Sequence, residues 1–396
     1  MKIYLDHAAT SPVARLAREA AWPWLADDVA ANPSSVHRSG QRARAAVDAA
    51  RERIAAAAGA LAAEVVFTSG ATEAVALGLH GTLEAAPADA ALVVGATEHM
   101  AVLAAAEREA RRGRPVRTVP PGPNGVPDAE RLRAALDAIE GPVALVAVMH
   151  TNNETGGRAD VAALADVAHA HGAAFLCDAA QGFGYAPLEL HRHGIDLATI
   201  SAHKIGGLPG VGALLVRDGR ALVPQLRGGA QERGRRAGTH PVAMIVAFGA
   251  VAEGAAHDLE ARSGRVAALR DRLEAAVTAL PGVHRNGAEP RGPKHLNVRV
   301  DGVDGESLRL ALDQAGVEVS AGSACAAGSV EPSHVLAALG LAPDAARASV
   351  RFSLGLPNGP EAPDALDEAQ VDEAARRFGT VVERLRALQA AEAPSA

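Results

Sequence analysis

Two hydrophobic patterns alternate along the first half of the chain. Short apolar runs such as Val65-Val66-Phe67-Thr68 and Ala91-Leu92-Val93-Val94, and those at 142–149, 173–177 and 195–200, read as strands. The run at 142–149 is apolar throughout, as a central strand covered on both faces should be. Alanine-rich segments with helical spacing lie among them, over about 40–58, 71–83, 100–112, 129–139 and 160–171. Strand, polar turn and helix repeated in this way predict an open α/β sheet with its site at the C-terminal strand edge. The run at 211–216 reads as a further strand, hairpin-related to the one before it. One helical pattern then extends from Pro241 to about Leu280, where Pro281-Gly282 breaks it. Strands near 295–300, 317–320 and 351–354, with helices near 305–315, 332–339 and 367–390, predict a smaller α+β unit.

The polar residues gather at the strand ends. Ser201-Ala202-His203-Lys204 closes one buried run, and a lysine there either snorkels to solvent or is held covalently by an aldehyde cofactor. Asp178-Ala179-Ala180-Gln181 closes another, and Asp178 has no obvious structural partner in its own segment. A third run ends in His150-Thr151-Asn152-Asn153-Glu154. Ser69-Gly70-Ala71-Thr72 opens a helix, so its free N–H groups suit either a plain cap or an anion. It is neither a Gly-x-Gly-x-x-Gly fingerprint nor a Walker-type loop. His99, just past a strand, is either structural or a ligand contact. Arg351 lies either on a solvated strand face or clamps an anion. The glycine-rich stretch 227–239 is a long charged loop, of a kind that is often functional.

Composition narrows the class. The net charge of −7 argues against a general binder of nucleic acid or acidic membranes. No stretch reaches the roughly 18 apolar residues of a membrane span, and Asp6 arrives too early for a signal peptide. Two cysteines exclude a disulfide framework, which makes a reducing cytoplasm the expected compartment. Cys177 reads as a buried hydrophobe. Cys325, in Gly322-Ser323-Ala324-Cys325-Ala326-Ala327-Gly328, is either incidental or a reactive thiol on a loop of small residues. No metal site is expected.

Several motifs recur in a familiar order. They are Tyr4-Leu5-Asp6-x-Ala8-Ala9-Thr10, Asn32-Pro33-Ser34-Ser35-x-His37, Thr68-Ser69-Gly70-Ala71-Thr72-Glu73, Thr97-Glu98-His99, Asn152-Asn153-Glu154-x-Gly156, Asp178-x-x-Gln181, Ser201-x-His203-Lys204, Gln231-Glu232-Arg233-Gly234, Gly238-Thr239 and Gly322-Ser323-Ala324-Cys325. Over nearly its whole length the chain resembles the cysteine desulfurases of the NifS/IscS type, in the class V aminotransferase group of pyridoxal-phosphate enzymes.

That resemblance implies a fold type I transferase: an N-terminal arm (1–15) joining the small domain, a large cofactor-binding domain (16–255) and a small α+β domain (256–396) carrying the cysteine loop. Lys204 would be the Schiff-base lysine and Asp178 the partner of the pyridinium nitrogen. His99 would stack on the ring, with Gln181 and Asn153 near its hydroxyl. Ala71 (through its backbone), Thr72, Ser201 and His203 would hold the phosphate, joined by Thr239 from the second subunit of a homodimer. Arg351 and Asn32 would take the substrate carboxylate, and Cys325 would be the persulfide-forming nucleophile. The implied reaction turns L-cysteine into L-alanine and passes sulfur to an acceptor or iron–sulfur scaffold protein, or toward thio-nucleosides. Selenocysteine lyase or another class V activity is the rival. Departures from the family pattern are His7, Ala180, Gly207 with Leu208-Pro209, and Leu356-Pro357. They remove no chemical group that the mechanism needs.

Overall fold

The computed structural model describes residues 2–26, 32–321, 332–359, 361–362 and 365–392. In chain order the elements are β1 (Ile3–Tyr4), α1 (Arg15–Ala21), α2 (Arg38–Ala57), β2 (Val65–Thr68), α3 (Ala71–Ala85), β3 (Ala91–Gly95), α4 (Met100–Arg111), β4 (Val116–Val119), α5 (Ala129–Asp137) and β5 (Val143–Met149). They continue with α6 (Val161–Ala170), β6 (Ala174–Asp178), β7 (Leu197–Ser201), β8 (Gly212–Val216), α7 (Val242–His257), α8 (Leu259–Thr278), β9 (Val283–Arg285) and β10 (His295–Val300). Last come α9 (Gly305–Gln314), β11 (Val317–Glu318), α10 (His334–Ala338), α11 (Pro343–Arg347), β12 (Ser349–Ser353) and α12 (Glu368–Glu392).

Seven strands form the main sheet in the order β2-β8-β7-β6-β5-β3-β4. Only β8 runs antiparallel, against both β2 and β7, so the expected hairpin is present. The strands read as continuous apolar runs because successive residues point to opposite faces and both faces are covered. Leu145, Ala147, Leu176, Leu197 and Leu214 pack beneath α3 and α4, with Val75, Leu79 and Val102. Val146, Val148, Phe175, Cys177, Ala198 and Ile200 face the other layer, with Val47, Ile54, Leu164 and Phe248. Cys177 is thus a buried core residue, as read.

A second sheet, β12-β10-β9, is antiparallel, and the arm strand β1 pairs in parallel with β11. An Asp6–Ser353 bridge carries the arm onward beside β12. This tie delivers Ala8 and Ala9 to the edge of the main sheet.

Two expectations need correction. The helical pattern from Pro241 is not one helix. It breaks at Asp258 into α7 and α8, bent by 78°. The two halves have different neighbours, since α7 lies under α1 and α2 while α8 packs on α12. Strand β4 was not anticipated, because Arg117 and Thr118 are exposed and prolines bracket it, the signature of an edge. No single helix among the described residues is long and apolar enough to cross a membrane.

Candidate active site

The C-terminal ends of β5, β6 and β7 open on a cavity of ≈ 480 Å³. Its walls come from six places: Ala8 and Ala9 of the arm, the 69–73 turn, His99, the segment after β5, the ends of β6 and β7, and Arg351 with His334. Ala71, Thr72, Asn153, Asp178, Gln181, Ser201, His203 and Lys204 all line it. Asn32 and Thr239 do not. Asn32 is exposed in its turn, where its Oδ1 accepts from Ser34 N at 2.9 Å, so within one chain it is no carboxylate ligand of this cavity. Cys325 lies outside the described residues.

Lys204 sits in a short turn of 3-10 helix directly after β7, stopped by Gly206 at φ 89°, a left-handed conformation suited to glycine. Its Nζ is half-buried and donates to Ala8 O at 2.6 Å and Ala9 O at 2.9 Å. The amine therefore does not snorkel to solvent; backbone carbonyls of the arm hold it inside. Asp178 is 7% exposed, and its Oδ1 accepts from Thr199 Oγ1 at 2.9 Å and from Ala180 N at 3.1 Å. It does have a partner in its own segment, contrary to the sequence reading. The bonds are fixed to one oxygen, which orients the carboxylate.

Gln181 Nε2 donates to Ala8 O at 2.9 Å, while its Oε1 is buried with no hydrogen-bond partner among the described residues. Gly70 precedes α3 and offers no side-chain cap, so the first N–H groups of a 15-residue helix remain for an anion. β8 must pass close by: a Cβ on Gly212 would stand 2.8 Å from Gly70 and 2.7 Å from Ile200 O.

His99 caps α4, with its Nδ1 accepting from Ala101 N at 3.1 Å. Burial lowers its pKa, Asp178 opposes this, and Lys204 and His334 add to it. The His203 imidazole falls to about 4 through burial, Lys204 and Lys294, and its Nδ1 lies 3.1 Å from Thr10 Oγ1. Arg351 is 1% exposed, which rules out the solvated face. Its Nη2 reaches Asp6 Oδ1 at 2.8 Å and its Nη1 donates to Asn153 O at 2.8 Å.

Sequence reasoning named Glu154 only as part of a polar strand end and missed two groups, His334 and Lys294. Glu154 and His334 line the cavity, and Lys294 is buried behind it, with Nζ 4.5 Å from the Tyr185 ring centroid. Burial, Lys204 and Arg351 drive the Lys294 pKa well below the usual lysine range. Nothing local marked His334 or Lys294; Lys294 directly precedes β10, and the pairing of β10 with β12 carries it inward.

These groups fit pyridoxal phosphate. A lysine amine, a fixed carboxylate, an unsatisfied amide oxygen and an open helix N-terminus meet in one cavity. This is the arrangement of a pyridoxal-phosphate-dependent enzyme of fold type I. Residues 3–366 match the family described as aminotransferase class V. A cysteine desulfurase IscS of Anaeromyxobacter sp. (strain Fw109-5) is 43% identical over 360 residues, 89% of this chain and 87% of the relative. Among solved structures, a NifS-like protein from Rickettsia africae is 26% identical, with a TM-score of 0.85 over 97% of this chain and all of that one. Another, SspA in complex with cysteine, is 32% identical, with a TM-score of 0.79 over 91% of this chain and all of that one. The chain belongs to the cysteine desulfurase group of the class V aminotransferase family.

Proposed function

We propose that the protein converts L-cysteine to L-alanine and retains the sulfur as a persulfide on Cys325. The observation that carries this reading is that the Lys204 amine and the Arg351 guanidinium line the same cavity. One engages the amino end of an α-amino acid and the other its carboxylate, in the two-pronged manner open to arginine. The choice of cysteine is supported by the names of the relatives and by the neighbour solved with that amino acid.

Bound pyridoxal phosphate supplies the electron sink for cleavage at the substrate's Cα and Cβ. Asp178 would stabilise positive charge beside it, and the α3 N-terminus with Thr72 and Ser201 would hold its phosphate. Lys204 Nζ would move the Cα proton. Arg351 holds the carboxylate and His99 lies against the reacting face. The Cys325 thiolate then bonds to the substrate sulfur as the Cβ–S bond breaks. The net change is L-cysteine plus Cys325 thiol to L-alanine plus Cys325 persulfide. We further propose a homodimer in which Thr239 serves the neighbouring subunit's phosphate, a cytoplasmic location, and a protein acceptor that takes the sulfur into iron–sulfur or thio-nucleoside assembly.

Two variants test this. Lys204→Ala should abolish the visible absorption of the lysine-bound cofactor. Cys325→Ser should stop alanine release from L-cysteine. If Cys325→Ser turns over at the wild-type rate without added reductant, the activity is a sister one, such as selenocysteine lyase, that needs no enzyme thiol.

A further inference from the structure

Lys204 lies on a one-turn helix, and such a turn leaves its last carbonyls without donors of its own. The N-terminal arm supplies them. Ser11 N donates to His203 O at 2.9 Å and Ala14 N to Gly206 O at 2.8 Å. Between these two bonds the Ser11 hydroxyl donates to Lys204 O at 3.1 Å. The arm therefore grips Lys204 at both ends, its backbone oxygen through Ser11 and its Nζ through the carbonyls of Ala8 and Ala9. On its other side the arm is fixed to β12, where His7 N donates to Ser353 O at 3.1 Å and Ala8 N to Ser353 Oγ at 2.8 Å.

Ser11 has a second polar neighbour, His7 Nδ1 at 3.3 Å. A hydroxyl carries one hydrogen, and here a carbonyl, which only accepts, takes it. Towards His7 the Ser11 oxygen can then only accept, so Nδ1 holds the ring proton and Nε2 the lone pair. Burial and Lys294 bring the His7 pKa down to about 3, so the ring is neutral and has one proton to place. Both side chains are buried. The ring is wedged between Tyr4, edge to face with centroids 5.0 Å apart, and Gly355, where a Cβ would stand 2.4 Å from Nδ1. His7 is thus a fixed donor, and the direction of the Ser11 hydroxyl follows from it.

Resting on the reading of Lys204 as the cofactor's lysine, and on no particular substrate, we propose that His7 and Ser11 are positioning residues for it. The Nδ1–H of His7 fixes the Ser11 hydroxyl, and the hydroxyl fixes the Lys204 carbonyl. Only the lysine side chain then moves when Nζ leaves the carbonyls of Ala8 and Ala9 to engage the cofactor. A backbone free to shift would have to be ordered first, which costs affinity.

The affinity for pyridoxal phosphate, titrated through the visible band of the lysine-bound cofactor, tests this. Ser11→Ala should weaken it about fivefold, and His7→Leu, which frees the hydroxyl to turn, about threefold, the range of a neutral hydrogen bond. His7→Asn, whose Nδ2–H stands in for Nδ1–H, should stay within about twofold of wild type. Because His7 acts through Ser11, the double variant of His7→Leu and Ser11→Ala should match Ser11→Ala, whereas independent effects would multiply to about fifteenfold. Nitrogen-15 correlation spectra of the wild-type holoenzyme supply a readout that needs no variant, with His7 expected as the Nδ1–H tautomer. Wild-type affinity in Ser11→Ala, a multiplied loss in the double variant, an Asn variant as weak as the Leu one, or an Nε2–H tautomer of His7 overturns the proposal. If the band survives Lys204→Ala, the reading of Lys204 falls together with it. If Lys204→Ala removes the band and Ser11→Ala binds as wild type does, His7 and Ser11 alone lose their role.

Discussion

Glu232 offers a sharp test of what holds the 227–239 loop in place. Its carboxylate meets Arg51 in a two-pronged pair, with both N–O distances 2.7 Å, and also accepts from Phe67 N at 2.9 Å and His240 Nε2 at 2.5 Å. Arg51 lies over the Phe67 ring, 4.6 Å from its centroid, and the Arg51 and Glu232 side chains are only 7% and 2% exposed. The anchor holds Glu232 at φ 48° and Arg233 at φ 56°, left-handed conformations that cost non-glycine residues about 1–3 kcal/mol each. Although burial alone would raise the Glu232 pKa, Arg51, His240 and Phe67 N bring it from 4.5 down to about 2. At about 1.4 kcal/mol per tenfold change in proton affinity, the native state gains roughly 3 kcal/mol from ionised Glu232. Breaking a buried pair from one side costs about 3–5 kcal/mol, which agrees. Glu232→Gln should therefore lose roughly 3 kcal/mol at pH 7.5, read from urea unfolding with cofactor saturating and protein concentration fixed. Because the folded pKa is depressed, the contribution is full above pH 4.5 and fades as pH falls toward 2. The gap between wild type and variant should narrow on acidification. A loss under about 1 kcal/mol at pH 7.5, or a gap that widens in acid, would refute the reasoning.

Two further predictions concern the groups behind the cavity. Lys294 Nζ has no hydrogen-bond partner among the described residues, and its pKa is depressed by burial, Lys204 and Arg351. Below the unfolded lysine value of about 10.4 the unfolded chain holds a proton that the native state gives up, so the penalty applies at pH 7 and disappears in strong alkali. Lys294→Met should raise stability by about 1–3 kcal/mol at pH 7.5 and by little at pH 10.5; a lower melting temperature at pH 7.5 would count against this. Asp6 orients Arg351 through the 2.8 Å contact to Nη2. Asp6→Asn should raise KM for L-cysteine by about tenfold, the loss of a charged hydrogen bond, and leave kcat within about threefold. A fall in kcat with KM unchanged would show that Asp6 acts elsewhere.

Much of the cavity was legible in the chain because parallel strands bring their C-terminal ends to one edge. Given alternating strands and helices, Asp178, Lys204 and the 69–72 turn had to converge. The length of α7 and α8 was not legible, since local spacing cannot report which neighbours each half packs against. Nor was β4, whose exposed edge carries too little apolar pattern to stand out.

Sequence alone determined most of the main sheet and the family, and pointed to Lys204, because period, turn chemistry and motif order are local properties of the chain. Tertiary structure decided the electrostatics. Asp6 and Arg351 are 345 residues apart and touch only because the arm runs beside β12. Lys294 and His334 reach the site through strand pairing and through bonds to distant carbonyl and carboxyl oxygens. Burial and charge proximity set how Lys294 holds its proton, and both come into being only when remote segments pack.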